Sequence, residues 1–548
     1  MLAESHRLQA GPVSADLVDG ALRHIRVGAA EAVERVYFAL RDIEWGTVPG
    51  QVQNLSIREE AGGFEVSFDC LHKQGEIDFL WHGEIRGEAR GALSFSLSGQ
   101  ARSRFLSNRI SLCVHHPLSA CAGKPCRIEK ADGGWEEARW PDLISPRQPF
   151  FEIRSMEHEF APGAAVRIQF EGGVFETEDQ RNWSDNNFKT YSPPLELPFP
   201  VEWKAGDRIH QRIQIEVSGD LGHLPPEPTG PVLIRRLDLP AVFLPPIGLS
   251  LPQQDDPLPE AVVARLRRLN LSHLRAEFSS ESAAERACRE AERIGAPLEA
   301  VVTLPGPVSN LQRFAPHVAR WLVQSPGETV TAGEALRAAR EQLGPAAVLG
   351  AGSNLYFTEL NRNRLPGLQP DGAYYPVHPQ VHACDDETVT NNVRAQRHVL
   401  RTARSFAGGA ALWVTPISLG PRTQPDPRQQ QPFCAAWTAG SLKHLAESGA
   451  ASVTYFETHG PHGVQQEAGV FPVFELLERV GEFAGAQVIP TEGCGPGHVA
   501  PLLLAKNGRR RLLLANLSPS VAEVVLELCG GRRIELPAYG LDCIDWEE

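Results

Sequence analysis

The sequence predicts a multidomain α/β plus all-β protein. It comprises an N-terminal antiparallel β-sandwich (supersandwich-like) over residues 1–230, a central (β/α)8 TIM barrel over 231–475 and a small C-terminal β-domain over 476–548. Three observations carry this reading. The first part of the chain alternates apolar and polar residues in short segments divided by glycine turns. A strand–helix rhythm then repeats eight times, and after it the short alternating segments return.

In the first part, "LRHIRVG", "VERVYFALRDI", "GFEVSFDCLH", "EIDFLWHGEIRG" and "GALSFSLSGQA" alternate with period two, as half-buried strands do. "AAVRIQFEGGVFET" and "DRIHQRIQIEVSG" continue the pattern. The proline-rich run "HLPPEPTGPVLIRRLDLPAVFLPPIGLS" then reads as a linker or domain entry. Beyond it, "IGLSL", "SHLRAEF", "LEAVVTL", "WLVQS", "AVLGAGSNLYFTEL", "GAYYPVHP", "ALWVTPISL" and "ASVTYFET" read as strands, most with an amphipathic helix behind them. Eight such units in this length are the rhythm of a (β/α)8 barrel. "NLQRFAPHVARW" is expected as the helix after strand three, and no helix is expected after strand five. "HVAPLLLAKNG", "RRRLLLANLS", "VAEVVLELCG" and "RRIELPAYG" form the terminal strands.

Composition excludes several functions. A net charge of -14 without a basic stripe argues against nucleic acid, which needs concentrated positive charge. No apolar run approaches a membrane span and the start lacks a signal-peptide pattern, so a cytoplasmic protein is expected. The ten cysteines include no CxxC, and neither HExxH nor a Cys/His ligand spacing occurs. No metal or other cofactor is therefore expected. A small, polar or neutral substrate fits what remains.

In a (β/α)8 barrel, chemistry collects at the C-terminal ends of the strands. Strand two offers Arg275 and Glu277, and strand four is followed by Glu328. "YFTELNRN" carries Glu359, Asn361 and Asn363; strand six leads to His378 and His382; strand eight ends in Glu457, His459 and His462. Glu359 and Glu457 are the candidate general bases, and Arg275 and His378 the candidate oxyanion stabilisers. The plainer readings are that a Glu at a strand end salt-bridges a neighbouring helix, that Arg275 is a structural counter-ion, and that His382 and His462 are loop residues. A barrel glycosidase is the alternative enzyme, with paired carboxylates about 5 Å apart or wider. However, strand seven ends without a carboxylate and strand four offers only Glu328. A third alternative is a non-catalytic carbohydrate-binding protein.

One stretch fits no element pattern. Residues 175–191, "FETEDQRNWSDNNFKTY", combine carboxylates, amides, Arg181, Lys189 and Trp183. This run resembles a signature of the D-apionate lactonase family of bacterial apiose catabolism. "GALRHIRVGAAEAVERVYFALRDIEWGT", "FLSNRISLCVHHPLSACAGKPCRI" and "YFTELNRNRL" resemble further family segments in the same order. The resemblance implies a sandwich, a barrel and a C-terminal β-domain, and hydrolysis of a sugar-acid lactone to the open acid. If this loop folds over the barrel mouth, Glu178, Asp179, Arg181, Asn182, Trp183 and Lys189 are expected to bind substrate together with Asn361, with Trp183 as a platform for a sugar face. The plainer expectation is a charge network that ties domains together.

Overall fold

The structure, a computed structural model, describes residues 5–547. The chain divides into two compact units. One runs to Gln180 and resumes over Asn186–Pro228; the other takes Arg181–Asp185 and everything from Thr229 onward.

The first unit is built on a single hydrogen-bonded sheet of sixteen strands, every pairing antiparallel. Its side-chain alternation is the one the sequence shows. Along Ile77–Gly87 each odd-numbered residue is buried and the residues between them are half-buried or exposed, because successive Cβ atoms point to opposite faces of a strand. The buried face forms one continuous apolar cluster that includes Leu8, Phe68, Phe79, Trp140 and Ile215.

In the second unit eight parallel strands close into a barrel: Ile247–Ser250, His273–Glu277, Leu298–Thr303, Val318–Gln324, Leu349–Gly352, Gly372–Val377, Ala411–Ile417 and Ser452–Glu457. Seven fall within segments read from the sequence; the fourth overlaps "WLVQS" but begins three residues earlier, at Val318. Parts of the interior are spaced by small residues. A Cβ on Gly350 or Gly372 would come within 2.6 or 2.4 Å of the Trp413 ring, so the absent side chains make room for that indole beside Val301, Leu322 and Tyr374.

Two local expectations need correction. The segment after strand three forms only a 3-10 turn, Leu311–His317, and strand four begins at once at Val318. Pro316 lies inside that turn and supplies no N–H donor, which stops an α-helix from extending. Conversely "YFTELNRN" does not extend strand five. The strand stops at Gly352, and Phe357–Asn363 is a helix closed by Arg364 in the left-handed conformation. Within the proline-rich run, which was read as a linker or domain entry, Val232–Arg236 pairs parallel with Ala522–Leu526 and antiparallel with Thr491–Cys494. Strands on either side of the barrel in sequence thus share one sheet. A five-stranded sheet, with Val499–Lys506 and Arg509–Asn516 at its centre, completes the C-terminal part. Among the described residues no helix is long and apolar enough to cross a membrane.

Candidate active site

Barrel strand two has inward positions at His273, Arg275 and Glu277, two residues apart and so on one face. They reach successive depths. His273 lies in a buried network low in the barrel with Glu299, Arg320 and Thr454. In that network burial works to raise the Glu299 carboxyl, but Arg320, His273 and the Thr415 hydroxyl outweigh it and hold it below the ordinary value. One layer up, Arg275 is buried and its Nη2 donates to Glu277 Oε1 at 3.1 Å and to Asn354 Oδ1 at 2.8 Å. The Asn354 amide donates to the same Glu277 oxygen at 3.3 Å, and Gln253 donates to the other at 3.1 Å. Arg422, from the loop after strand seven, stands 3.7 Å from Glu277 and donates to the Asn354 carbonyl at 2.8 Å.

The eighth strand delivers Glu457 by a distortion. Ser452 and Thr454 point inward, so strict alternation would put Phe456 inward next. Instead Phe456 adopts φ 39°, a left-handed conformation that is strained for a bulky residue. The register against strand one skips a residue there: Leu249 faces Tyr455 and Ser250 faces Glu457. This bulge turns Phe456 outward, with its ring 6.5 Å from that of Trp437 on the helix Pro432–Glu447, and gives the inward position to Glu457.

The electrostatics separate the two carboxylates. Burial works to raise Glu277, but Arg275 and Arg422, with the Asn354 amide, hold it below the ordinary carboxylate value. For Glu457 burial dominates and Arg422 offsets only part of it, so its carboxyl lies above the ordinary 4.5. Burial and the neighbouring Arg275 lower Arg422 itself, against the pull of Glu277, Tyr356 and Glu457. The mouth therefore holds one locked carboxylate, one raised carboxylate and two guanidiniums. A raised carboxylate beside fixed cations can take a proton from water while the cations stabilise developing negative charge. His378 follows strand six. Burial pushes it down to about 4 despite the attraction of Asp185, so it is a neutral imidazole at pH 7. Its Nδ1 is buried without a hydrogen-bond partner among the described residues, and its ring lies 5.7 Å from that of Tyr356.

Residues 181–185 group with the barrel rather than with the sheet from which they emerge. Asn361 donates to Asn182 Oδ1 at 2.9 Å. The His382 ring nitrogen lies 2.6 Å from Asp185, which also accepts from Asn392 at 3.0 Å. Trp183 stands edge-on to Tyr356 at 5.3 Å and to His382 at 6.1 Å, under the Arg362 guanidinium at 5.8 Å. Arg181 is fully buried. The flanking residues belong to the sheet unit and find partners there. Lys189 pairs with Glu178 at 3.2 Å, Asp179 accepts from the Ser145 amide at 2.9 Å, and Glu176 accepts from the Tyr191 hydroxyl at 2.5 Å.

The structure thus brings Arg275, Glu457 and His378 to the strand ends, and Asn182, Trp183 and Asn361 together beside them. Glu359 is placed otherwise. It sits in the first turn of the helix Phe357–Asn363, half-buried, and among the described residues its carboxylate joins none of the ion pairs or hydrogen bonds of the mouth. The sequence reading drew Glu359 on the end of strand five, whereas it lies on the helix that follows that strand. Arg422 and Asn354 were not singled out, because each lies in a loop with no periodicity to mark it. Their one sequence signal is position, just beyond the ends of strands seven and five.

Asn361→Leu removes the donor to Asn182 and is expected to cost about 1–3 kcal/mol of stability, read from thermal unfolding. If residues 181–185 line the substrate site, kcat/KM falls about tenfold as well. A lowered Tm with unchanged kcat/KM would make the segment a structural tie only.

A closed barrel carrying a raised carboxylate and two guanidiniums at its strand C-termini has groups that hydrolysis of an ester could use. The N-terminal domain of D-apionate lactonase matches residues 1–220, and the TIM barrel domain of D-apionate lactonase matches residues 322–485. A D-apionate lactonase of Brucella anthropi is 28% identical over 564 aligned residues, covering 91% of this chain and 90% of that one. The chain belongs to the D-apionate lactonase family, and so to the ester hydrolases of the lactonase class. Among solved structures, a GH30 endoxylanase from Clostridium papyrosolvens is 11% identical, covering 58% of this chain and 100% of that one at a TM-score of 0.42. An aldose 1-epimerase-like protein from Escherichia coli K12 is 11% identical over 39% of this chain and 99% of that one, at 0.28. At these scores neither bears on the chemistry.

Proposed function

We propose that this chain opens a sugar-acid lactone of the D-apionolactone kind to the free aldonic acid, in the cytoplasm and with protein groups alone. The relative from Brucella anthropi carries the name D-apionate lactonase, which supports the substrate class. The observation that carries the mechanism is Glu457, a half-buried carboxylate at a strand end, raised above its ordinary value and facing Arg422. In this reading Glu457 removes a proton from water as the water oxygen attacks the lactone carbonyl. Arg422, with Arg275 behind it, holds the oxyanion. The tetrahedral intermediate then breaks its bond to the ring oxygen, and Glu457 returns the proton to that oxygen as it becomes a hydroxyl. The product acid ionises and releases one proton to solvent. Neutral His378 and the Trp183 face bind the hydroxyl-bearing side of the ring. Glu277, already locked by Arg275 and Asn354, positions the guanidiniums. The same reading takes the sheet unit as a β-sandwich, and the strands beyond residue 476 as a β-domain accessory to the barrel.

Purified protein assayed against aldonolactones and nitrophenyl glycosides, with and without chelator, tests this. Lactone opening with one proton released per turnover in a pH-stat is expected, unchanged by chelator. Turnover of glycosides alone would replace the reading with the glycosidase. Binding of sugars without turnover of either would make the chain a carbohydrate-binding protein.

A further inference from the structure

Six large apolar side chains of the sheet unit gather at one place on its surface: Ile43, Trp45, Leu106, Leu197, Phe199 and Val201, each between 38% and 53% exposed. Arg109 is the hub that joins them. Its guanidinium is buried and lies 5.5 Å from the Trp45 ring centroid and 5.1 Å from that of Phe199, and the two rings meet edge-on at 5.1 Å. Its Nη1 donates to the Asn108 carbonyl at 2.6 Å and its Nη2 to the Pro194 carbonyl at 2.9 Å. The Asn108 amide donates to the Ile43 carbonyl at 3.1 Å, and the Pro194 carbonyl also accepts from the Leu197 N–H at 3.1 Å. Leu106 and Val201 lie on the two-stranded ribbon of Phe105–Ser107 and Val201–Trp203, which runs directly into Asn108 and Arg109.

Trp45 is presented by a strained turn. It takes φ 65°, costly for a bulky residue, and Asp42 fixes the turn by accepting from the Glu44 and Gly46 amides at 2.9 and 2.7 Å. None of the six side chains belongs to the apolar cluster of the sheet unit.

We propose that this face pairs with the same face of a second copy of the chain about a two-fold axis. The area supports that occupant. The six side chains expose roughly 500 Å² together, well over half of the about 800 Å² that each partner of a stable pair buries. Aromatic rings backed by an arginine are also what the centre of an interface concentrates. The margin supports it too. Arg104 donates to Glu202 at 2.7 Å, both side chains are exposed, and Glu202 stands opposite Leu106 in the ribbon. A margin with one cation and one carboxylate is complementary to itself, because a two-fold axis sets the arginine of one copy against the glutamate of the other. Other occupants find less here. A sugar needs hydrogen-bonding groups beside the ring, yet Arg109 is buried behind the rings and Arg104 is paired with Glu202. An anionic lipid surface needs basic residues at the loop tip, and the tip that carries Ile43 and Trp45 holds Asp42 and Glu44.

The inference is independent of the chemistry at the barrel mouth. Sedimentation velocity of the full chain, from nanomolar to tens of micromolar, tests it. A reversible monomer–dimer equilibrium is expected. Trp45→Ser and Phe199→Ser are each expected to weaken the dimer about thirtyfold or more, the scale of a central aromatic anchor. Ile43→Asp is expected to weaken it about tenfold or more by placing a carboxylate in the apolar contact; it changes only an exposed loop tip, and thermal unfolding checks that it folds. Leu239→Ser, at an exposed leucine of the other unit, is expected to leave the equilibrium unchanged. Arg104→Glu and Glu202→Arg are each expected to weaken self-association, and an equimolar mixture of the two to restore it as a heterodimer. A mixture that stays monomeric overturns the two-fold pairing of the margins. A chain monomeric throughout, or a dimer that Trp45→Ser, Phe199→Ser and Ile43→Asp all leave intact, overturns the proposal. Saturable binding of an aldonate to a monomeric chain, abolished by Trp45→Ser, would overturn it likewise and make the rings a sugar platform.

Discussion

Glu457→Gln is expected to lower kcat by about 10²–10⁴-fold, the usual contribution of a positioned general base. An amide has the shape of the carboxylate but cannot accept the proton of the attacking water. KM is expected to change little, because the group acts in the transition state rather than in binding. In the wild type the acidic limb of kcat/KM should lie above pH 4.5, because burial raises the Glu457 carboxyl and only its ionised form is a base. The stability consequence has the opposite sign. A carboxyl whose folded value is raised binds its proton more tightly in the native state, so ionisation costs stability as pH rises through that value. The glutamine variant escapes that cost, and its Tm relative to the wild type should improve between acidic and neutral pH. Wild-type kcat in this variant under saturating lactone would remove Glu457 from the mechanism.

Arg422→Gln is expected to lower kcat/KM by about 10²–10³-fold, the scale on which a single oxyanion donor acts. It carries a second readout that a purely structural role would not move. Among the described residues Arg422 is the neighbour that offsets the rise of the Glu457 carboxyl. Without it the acidic limb should move to higher pH, so that activity lost at neutral pH is partly regained in mild alkali. Arg422→Lys keeps the charge and should restore the position of the limb more fully than the rate, since an ammonium lacks the planar fork of a guanidinium. A rate loss with an unmoved limb would mean that Arg422 binds substrate without tuning the base.

Much of the barrel was legible because its strands are short apolar runs at regular intervals, and burial on both faces leaves no other reading for such runs. The ends of the elements were less legible. "YFTELNRN" reads locally as well for a strand extension as for a helix. What decided it was Gly352 ending the strand and Tyr356 opening a turn of helix that buries Phe357 and Leu360. That choice put Glu359 in the first turn of a helix rather than on a strand end. Phe456 shows the limit most sharply, since alternation alone aims its ring into the barrel. The bulge that reverses it depends on the register with strand one, a contact made across the whole length of the barrel sequence.

By itself the sequence determined the eight barrel strands, and it directed the search for chemistry to their C-terminal ends. These follow from local periodicity and from the fixed hand of parallel strand–helix units. It also carried, in residues 175–191, the run that resembles the family. Only the tertiary structure decided which polar residues meet: that Arg422 and Asn354 close around Glu277, that residues 181–185 lie with the barrel while Glu178, Asp179 and Lys189 pair within the sheet, and that Glu457 is raised while Glu277 is held down. The reason is physical. A carboxylate's proton affinity is set by burial and by charges within a few ångströms, and those neighbours come from loops far apart in the chain.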